Sequence, residues 1–208
     1  SSDLYNKIIP QRAAFAVALA SPMAITIPAT RSLLLDRVRL VLTHPAICWP
    51  TIAAESRGAK ELFLSITLPL LLVGTLCSFA GAQLFGLIGS AFSTKELAQQ
   101  TFISFALSCA SPYVSAFVLT KLAPFFQSSA TYEKAFSWSV HSSIPALTAG
   151  IFSLFPLLGA IVYPFFGFLS LYAAYSGLPT MTNVPQNQRV ALFISFVVAM
   201  ILVGLLMA

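Results

Sequence analysis

Apolar positions in this chain neither alternate nor recur on one helical stripe; they run. No charge falls between Leu62 and Thr94, between Leu97 and Thr120, or between Ala135 and Gln188. A helix crossing a bilayer needs about 20 predominantly apolar residues, and these stretches supply them. They predict five spans: Leu62–Ile88 with Pro69 inside, Leu97–Thr120 with Pro112, Ser139–Phe155 with Pro145, Ala160–Ser176, and Val190–Ala208. Pro156-Leu157-Leu158-Gly159 predicts a tight turn between the third and fourth. Gly177-Leu178-Pro179 predicts the end of the fourth, in the usual Gly-then-Pro order, and Thr180–Arg189 a polar loop. The fold class is therefore all-α, a polytopic membrane protein with a five-helix bundle over residues 62–208.

Residues 31–61 read differently. LLLDRVRLVL, Leu33–Leu42, sets Leu34, Val38, Val41 and Leu42 near one helical face and carries Asp36, Arg37 and Arg39. Such a segment suits a helix lying in the headgroup layer, with Arg37 and Arg39 as membrane-surface cations; packing on a protein core is the alternative. Pro45 ends it, because proline disfavours helical geometry in the residue before it. Trp49 then stands at a chain reversal, and Pro50 suits the first turn of a new helix. An indole prefers the water–lipid boundary, so Trp49, Pro50, Ile52 and Glu55 are read as an interfacial hinge. Glu55 is expected as an exposed charge at a helix start, where the dipole favours anions. Residues 1–30 are read as an N-terminal tail, a surface segment or an expression remnant. Ala18-Leu19-Ala20 after Lys7 and Arg12 has the pattern of a cleaved signal, but Pro22 and Pro28 interrupt it.

Composition strengthens the membrane reading. The 208 residues are 58% hydrophobic and 8% charged, with mean hydropathy +0.88. Soluble domains carry roughly 25% charged residues, so this chain has no polar shell to spare. The net charge of +5 would suggest nucleic acid in a soluble protein; here it sets orientation, and no nucleic-acid partner is expected. Arg31, Arg37, Arg39, Arg57 and Lys60 precede the first span, Lys121 and Lys134 follow the second, and Arg189 precedes the fifth. Only Lys95 falls on the other side. The positive-inside tendency puts the N-terminus in the cytoplasm and the C-terminus outside, with anionic lipid at the cytoplasmic face as the main partner.

Candidate chemistry is sparse. No Asp, Glu, Lys or Arg lies within the five spans, which counts against proton relays and ion-coupled pumps. His141 is the one imidazole near a span. It is either a pH-sensitive or ligand-contacting group or a polar side chain bonded to Ser139 or Ser142. With Tyr163, Tyr172 and Tyr175 it outlines a possible lipid or ligand groove; packing is the plainer role of those aromatics. His44 and Cys48 would chelate only on a helix, which Pro45 breaks, and two ligands leave a site incomplete. No metal, cofactor or catalytic motif is expected, and Cys48, Cys77 and Cys109 read as free thiols. Thr67 near Pro69, and Ser108 and Ser111 near Pro112, are expected to satisfy carbonyls that the prolines free. Small residues four apart (Ala82 and Gly86, Ser104 and Ser108, Ala106 and Ala110, Ala146 and Gly150) permit close helix approach and self-association.

Three stretches together carry a resemblance. RVRLVLTHPAICWPTIAAES followed by LFLSITLPLLL, then PALTAGIFSLFPLLG, then LYAAYSGLPTMTNVPQNQRV resemble, in order, the Yip1 domain family, most nearly its bacterial branch. Trp49, Ile52 and Glu55 fit the spacing seen there, as do Gly177-Leu178-Pro179 and Pro185. The resemblance implies a five-span bundle with a cytoplasmic N-terminus, in a bacterial inner membrane or alternatively the ER or Golgi. Eukaryotic relatives act in vesicle traffic and bind Rab-type GTPases. Their Asp-Leu-Tyr-Gly-Pro motif is not evident, since Asp3-Leu4-Tyr5 is followed by Asn6, so Rab binding is not expected here. The function expected is a non-enzymatic membrane-organising or membrane-shaping scaffold. The alternative is a transporter, channel or lipid scramblase with a path along the proline-broken helices.

Overall fold

A computed structural model describes residues 33–55, 57–86 and 93–207. The tail assignment over 1–30, the signal pattern, Asp3-Leu4-Tyr5 and the end of the first span at Ile88 lie outside the described residues. The described residues are predominantly helical, with no strand among them. In chain order the helices are α1 (Leu33–Thr43), α2 (Trp49–Ala54), α3 (Ala59–Gly86), α4 (Thr94–Leu122), α5 (Tyr132–Ala149), α6 (Pro156–Thr182) and α7 (Arg189–Met207). Short 3-10 turns, Ala123–Phe126 and Gly150–Leu154, extend α4 and α5.

Among the described residues, four helical stretches are long and apolar enough to cross a membrane: Ala59–Gly86, Thr94–Phe126, Pro156–Thr182 and Arg189–Leu206. Between 11% and 28% of each apolar window is buried within the protein. The rest, such as Leu76, Phe102, Phe165, Ile201 and Leu206, faces outward. Apolar surface on that scale calls for hydrocarbon around it. The third expected span falls on α5 and its 3-10 turn and is not among the four. The reason lies in its side chains. Ser137, Ser139, His141, Ser142, Ser143 and Thr148 lower its hydropathy, and more than half of the helix is buried. A helix screened by its neighbours needs no apolar surface of its own all round.

Several boundaries differ from expectation, each for a local reason. α1 ends at Thr43 and α2 starts at Trp49 with Pro50 in its first turn, as the prolines dictate. α3 contains a π-helical turn, Phe63–Thr67, where the Leu68 N–H reaches back to Phe63; such a turn absorbs the missing donor of Pro69. α6 does not stop at Gly177-Leu178-Pro179. It runs on to Thr182 and ends on Asn183 in the left-handed conformation. Pro179 removes the donor that would reach Tyr175, and the Arg189 guanidinium takes that carbonyl instead, Nη2 at 2.7 Å and Nε at 3.2 Å. Its plane also lies 4.0 Å over the Tyr175 ring. Beside Pro145, the Ala146 N–H is satisfied from α6 by Ser170 Oγ at 2.9 Å. Among the described residues the hydroxyls expected to do this work do not; Thr67 Oγ1 is itself buried without a partner there.

Glycine permits a close helix crossing. Gly74 of α3 lies against Gly150, where an added Cβ on Gly150 would stand 2.9 Å from Gly74 Cα. At Gly81 a Cβ would meet the Ser153 and Leu154 carbonyls at 2.3 and 2.7 Å. Of the four small-residue pairs expected, only Ala146 and Gly150 contribute a member to this crossing. The apolar core collects around α5, with Trp49, Ile66, Leu119, Trp138, Ile144 and Leu178 among its fully buried members. Val41 belongs to it, with Leu34 and Val38 packed alongside, so one side of α1 covers protein.

Candidate functional site

The residues with the most specific geometry lie where α2 and the loop before it meet α6. Trp49 opens α2 and is fully buried. Its indole N–H donates to Ser176 Oγ at 3.0 Å. Ser176 in turn shares its one hydroxyl proton between the carbonyls of Ala173, at 2.9 Å, and Pro45, at 3.3 Å. The indole lies flat against Gly177: a Cβ there would stand 2.4–2.6 Å from three ring atoms. Gly177 is needed for this approach, not as a helix end. Ile52, one turn after Trp49, is also buried. The proline-led hinge thus presents two anchors to the bundle, and the indole N–H finds a protein partner rather than interfacial water.

A charged cluster flanks these anchors. Glu55 stands at the C-terminal cap of α2, not at a helix start. A carboxylate there opposes the helix dipole and needs cations. Arg37 of α1 supplies one through a direct ion pair with Glu55, and Arg57 supplies another at 3.4 Å, itself 3.8 Å from Glu61. Arg37 is buried, with Nη1 lacking a partner among the described residues. Burial, then the like charge of Arg57, lowers its pKa from the ordinary arginine value. The surface role expected for Arg37 therefore meets a side chain turned inward; Arg39 is exposed. Burial likewise raises the Cys48 thiol to about 11, with its S–H on the Pro45 carbonyl.

The remaining candidates are dispersed. His141 is buried within α5; its Nδ1 lies 2.8 Å from Ser137 O, neither Ser139 nor Ser142 is its partner, and Nε2 has none among the described residues. Tyr175 sits under Arg189, and Tyr172 is exposed. Tyr163 lines a groove of about 420 Å3 between α3, α4 and α5. Among the described residues no three His, Cys, Asp or Glu side chains are grouped to hold a metal.

Long apolar helices around a screened polar one, tied at one end by part-buried ion pairs, define an integral membrane protein of the polytopic α-helical class. The chain belongs to the Yip1 domain family, whose model matches residues 39–208. No curated protein and no solved structure matches it. The matched region holds both halves of the Trp49–Gly177 contact, whereas Arg37 lies before it.

Proposed function

We propose that this protein is a non-enzymatic scaffold with five spans, α5 included, that organises or shapes the membrane through the segment clamped at its N-terminal side. The observation that carries this reading is the clamp. Trp49, Ser176 and Gly177 fix α2 to the bundle, and Arg37–Glu55 fixes α1 to α2. A segment held this rigidly transmits a bend to lipid instead of floating on it. Its outer side keeps Leu35 and Ile47 exposed, 73% and 70%, next to exposed Arg39. Exposed apolar side chains on a segment that also presents a cation suit insertion among anionic headgroups. Arg57 and Lys134 line one small cavity with Glu55 and Glu133, and Arg189 docks on α6; with Arg37, Arg39, Lys60 and Lys121 in the same flanking segments, cations outnumber carboxylates there. That supports a cytoplasmic N-terminus and an external C-terminus, in a bacterial inner membrane or alternatively an ER or Golgi membrane.

The test uses full-length protein reconstituted into liposomes containing anionic lipid. Vesicle curvature should change with protein density and lose most of that response in Leu35→Ser/Ile47→Ser/Arg39→Glu. An unchanged response in that variant sinks the reading. The groove and the π-turn before Pro69 favour a second one, a transporter, channel or scramblase. Flux of ions, solutes or lipid probes above empty liposomes, lost on mutation of α3 or α4, would establish it.

A further inference from the structure

The groove between α3, α4 and α5 is unusual for its place. Thr75 and Ser78 of α3 face Gln100, Thr101, Ser104 and Ser108 of α4 across it, and the Tyr163 hydroxyl side closes it from α6. Hydroxyls in helices commonly bond their own carbonyls one turn back. Ser65, Thr120, Ser142, Ser143, Thr148 and Thr182 all do so here. None of the seven groove side chains makes a hydrogen bond among the described residues. They form a row of free donors and acceptors on helices long and apolar enough to span a bilayer, where unsatisfied polar groups are costly. No charged side chain lines the groove. A cleft of about 260 Å3 adjoins it, lined by Leu72, Leu76, Phe79, Ala98 and Phe102. Thr75, Thr101 and Phe105 belong to both.

We propose that this pair of cavities is a binding site for an uncharged, hydroxyl-bearing glycerolipid of the diacylglycerol type. Its glycerol and ester groups meet the free hydroxyls and the Gln100 amide; one acyl chain lies in the apolar cleft. The polar and apolar cavities share a wall, as the two ends of an amphiphile require. The absence of a lining cation selects against a phosphate, whose charge would stand uncompensated in a medium of low dielectric. Selectivity comes from the hydrogen bonds, because an acyl chain gains little by exchanging lipid for protein. The site depends on neither reading of function, since binding requires no movement of lipid and no bending.

The experiment uses the full chain in nanodiscs doped with diacylglycerol carrying a photoreactive acyl chain, and in parallel with a phosphatidylglycerol carrying the same chain. Adducts are mapped by peptide mass spectrometry. Diacylglycerol adducts should concentrate on residues 70–79 and 98–108 and be displaced by unlabelled diacylglycerol. They should fall at least fivefold in Thr101→Val/Ser104→Ala/Ser108→Ala, which removes hydroxyls but leaves an apolar surface. Competition on the unmodified chain decides the matter if that variant does not fold. Adducts spread evenly over α6 and α7, failure of unlabelled lipid to compete, or equal labelling by the anionic lipid would overturn the proposal. So would a photoreactive residue at Phe102 that captures residues 1–32 or 87–92 of the chain in place of lipid.

Discussion

Replacing Gly177 with alanine perturbs the clamp at its tightest point. The new Cβ would stand 2.4, 2.5 and 2.6 Å from Trp49 Cε2, Cζ2 and Cδ2. Ordinary carbon contacts lie at about 3.5–4.0 Å, so the indole must retreat by about 1 Å. Trp49 is fully buried, and overpacking of such a site costs about 1–3 kcal/mol. The retreat also stretches the 3.0 Å bond to Ser176 Oγ, a loss of about 1 kcal/mol. Against this, alanine favours a helix over glycine by about 1 kcal/mol. The net expectation is about 2 kcal/mol, felt mainly by the docking of α2. The readout is Cys48, adjacent to Trp49 and only 1% exposed. If labelling of its thiol follows opening of the clamp, about 2 kcal/mol raises the rate roughly thirtyfold. Gly167→Ala is the control, because nothing lies within 4 Å of its added Cβ. Equal Cys48 labelling rates and equal Tm in the two variants would refute the reasoning.

Three further outcomes follow from the same geometry. Arg189→Ala frees the Tyr175 carbonyl at a cost of about 2 kcal/mol; combined with Pro179→Ala, which restores a backbone donor for that carbonyl, thermal unfolding should show a smaller loss, and strict additivity would contradict the account. Gly81→Ala drives a methyl into two carbonyls that are backbone and cannot step aside, so its Tm in detergent should drop further than that of Gly177→Ala. The Cys48 thiol, raised from 9.0 to about 11 by burial, keeps its proton in the folded chain where the unfolded chain loses it. Its contribution is full below pH 9 and is lost as pH rises toward 11; Tm of the unmodified chain should fall more steeply over that window than Tm of Cys48→Ala.

What the sequence discloses here follows from what each feature needs to be recognised. Uninterrupted apolar runs declare long helices without reference to any partner, and Pro45 and Pro50 declare a break and a start by their own geometry. The hinge Trp49, Ile52 and Glu55 is visible as a pattern, yet its solvent is not. Trp49 reads as interfacial until Gly177 is known to lie beneath it. Gly177 reads as a helix end because glycine before proline has that meaning locally; its other meaning, room for a ring 128 positions away in number, is not local. Arg37 and Glu55 are 18 apart in separate helices, a distance no helical spacing rule covers. Arg189 at Tyr175 was open to inference, since Pro179 must orphan that carbonyl, and a lone arginine after the loop is the natural donor. The groove was out of reach: its hydroxyls come from α3, α4 and α6, and each alone resembles the others scattered along the chain.

The polar character of α5 bears on how the chain is made. A machinery that weighs each emerging segment against oil by itself would find little reason to retain one bearing His141 and so many hydroxyls. On the five-span reading, that segment should stay in the bilayer only after α6 has arrived beyond the bend at Phe155 and closed over it. Chains halted before Pro156 should leave it accessible to aqueous probes, so late synthesis, not early, is the vulnerable moment for this protein.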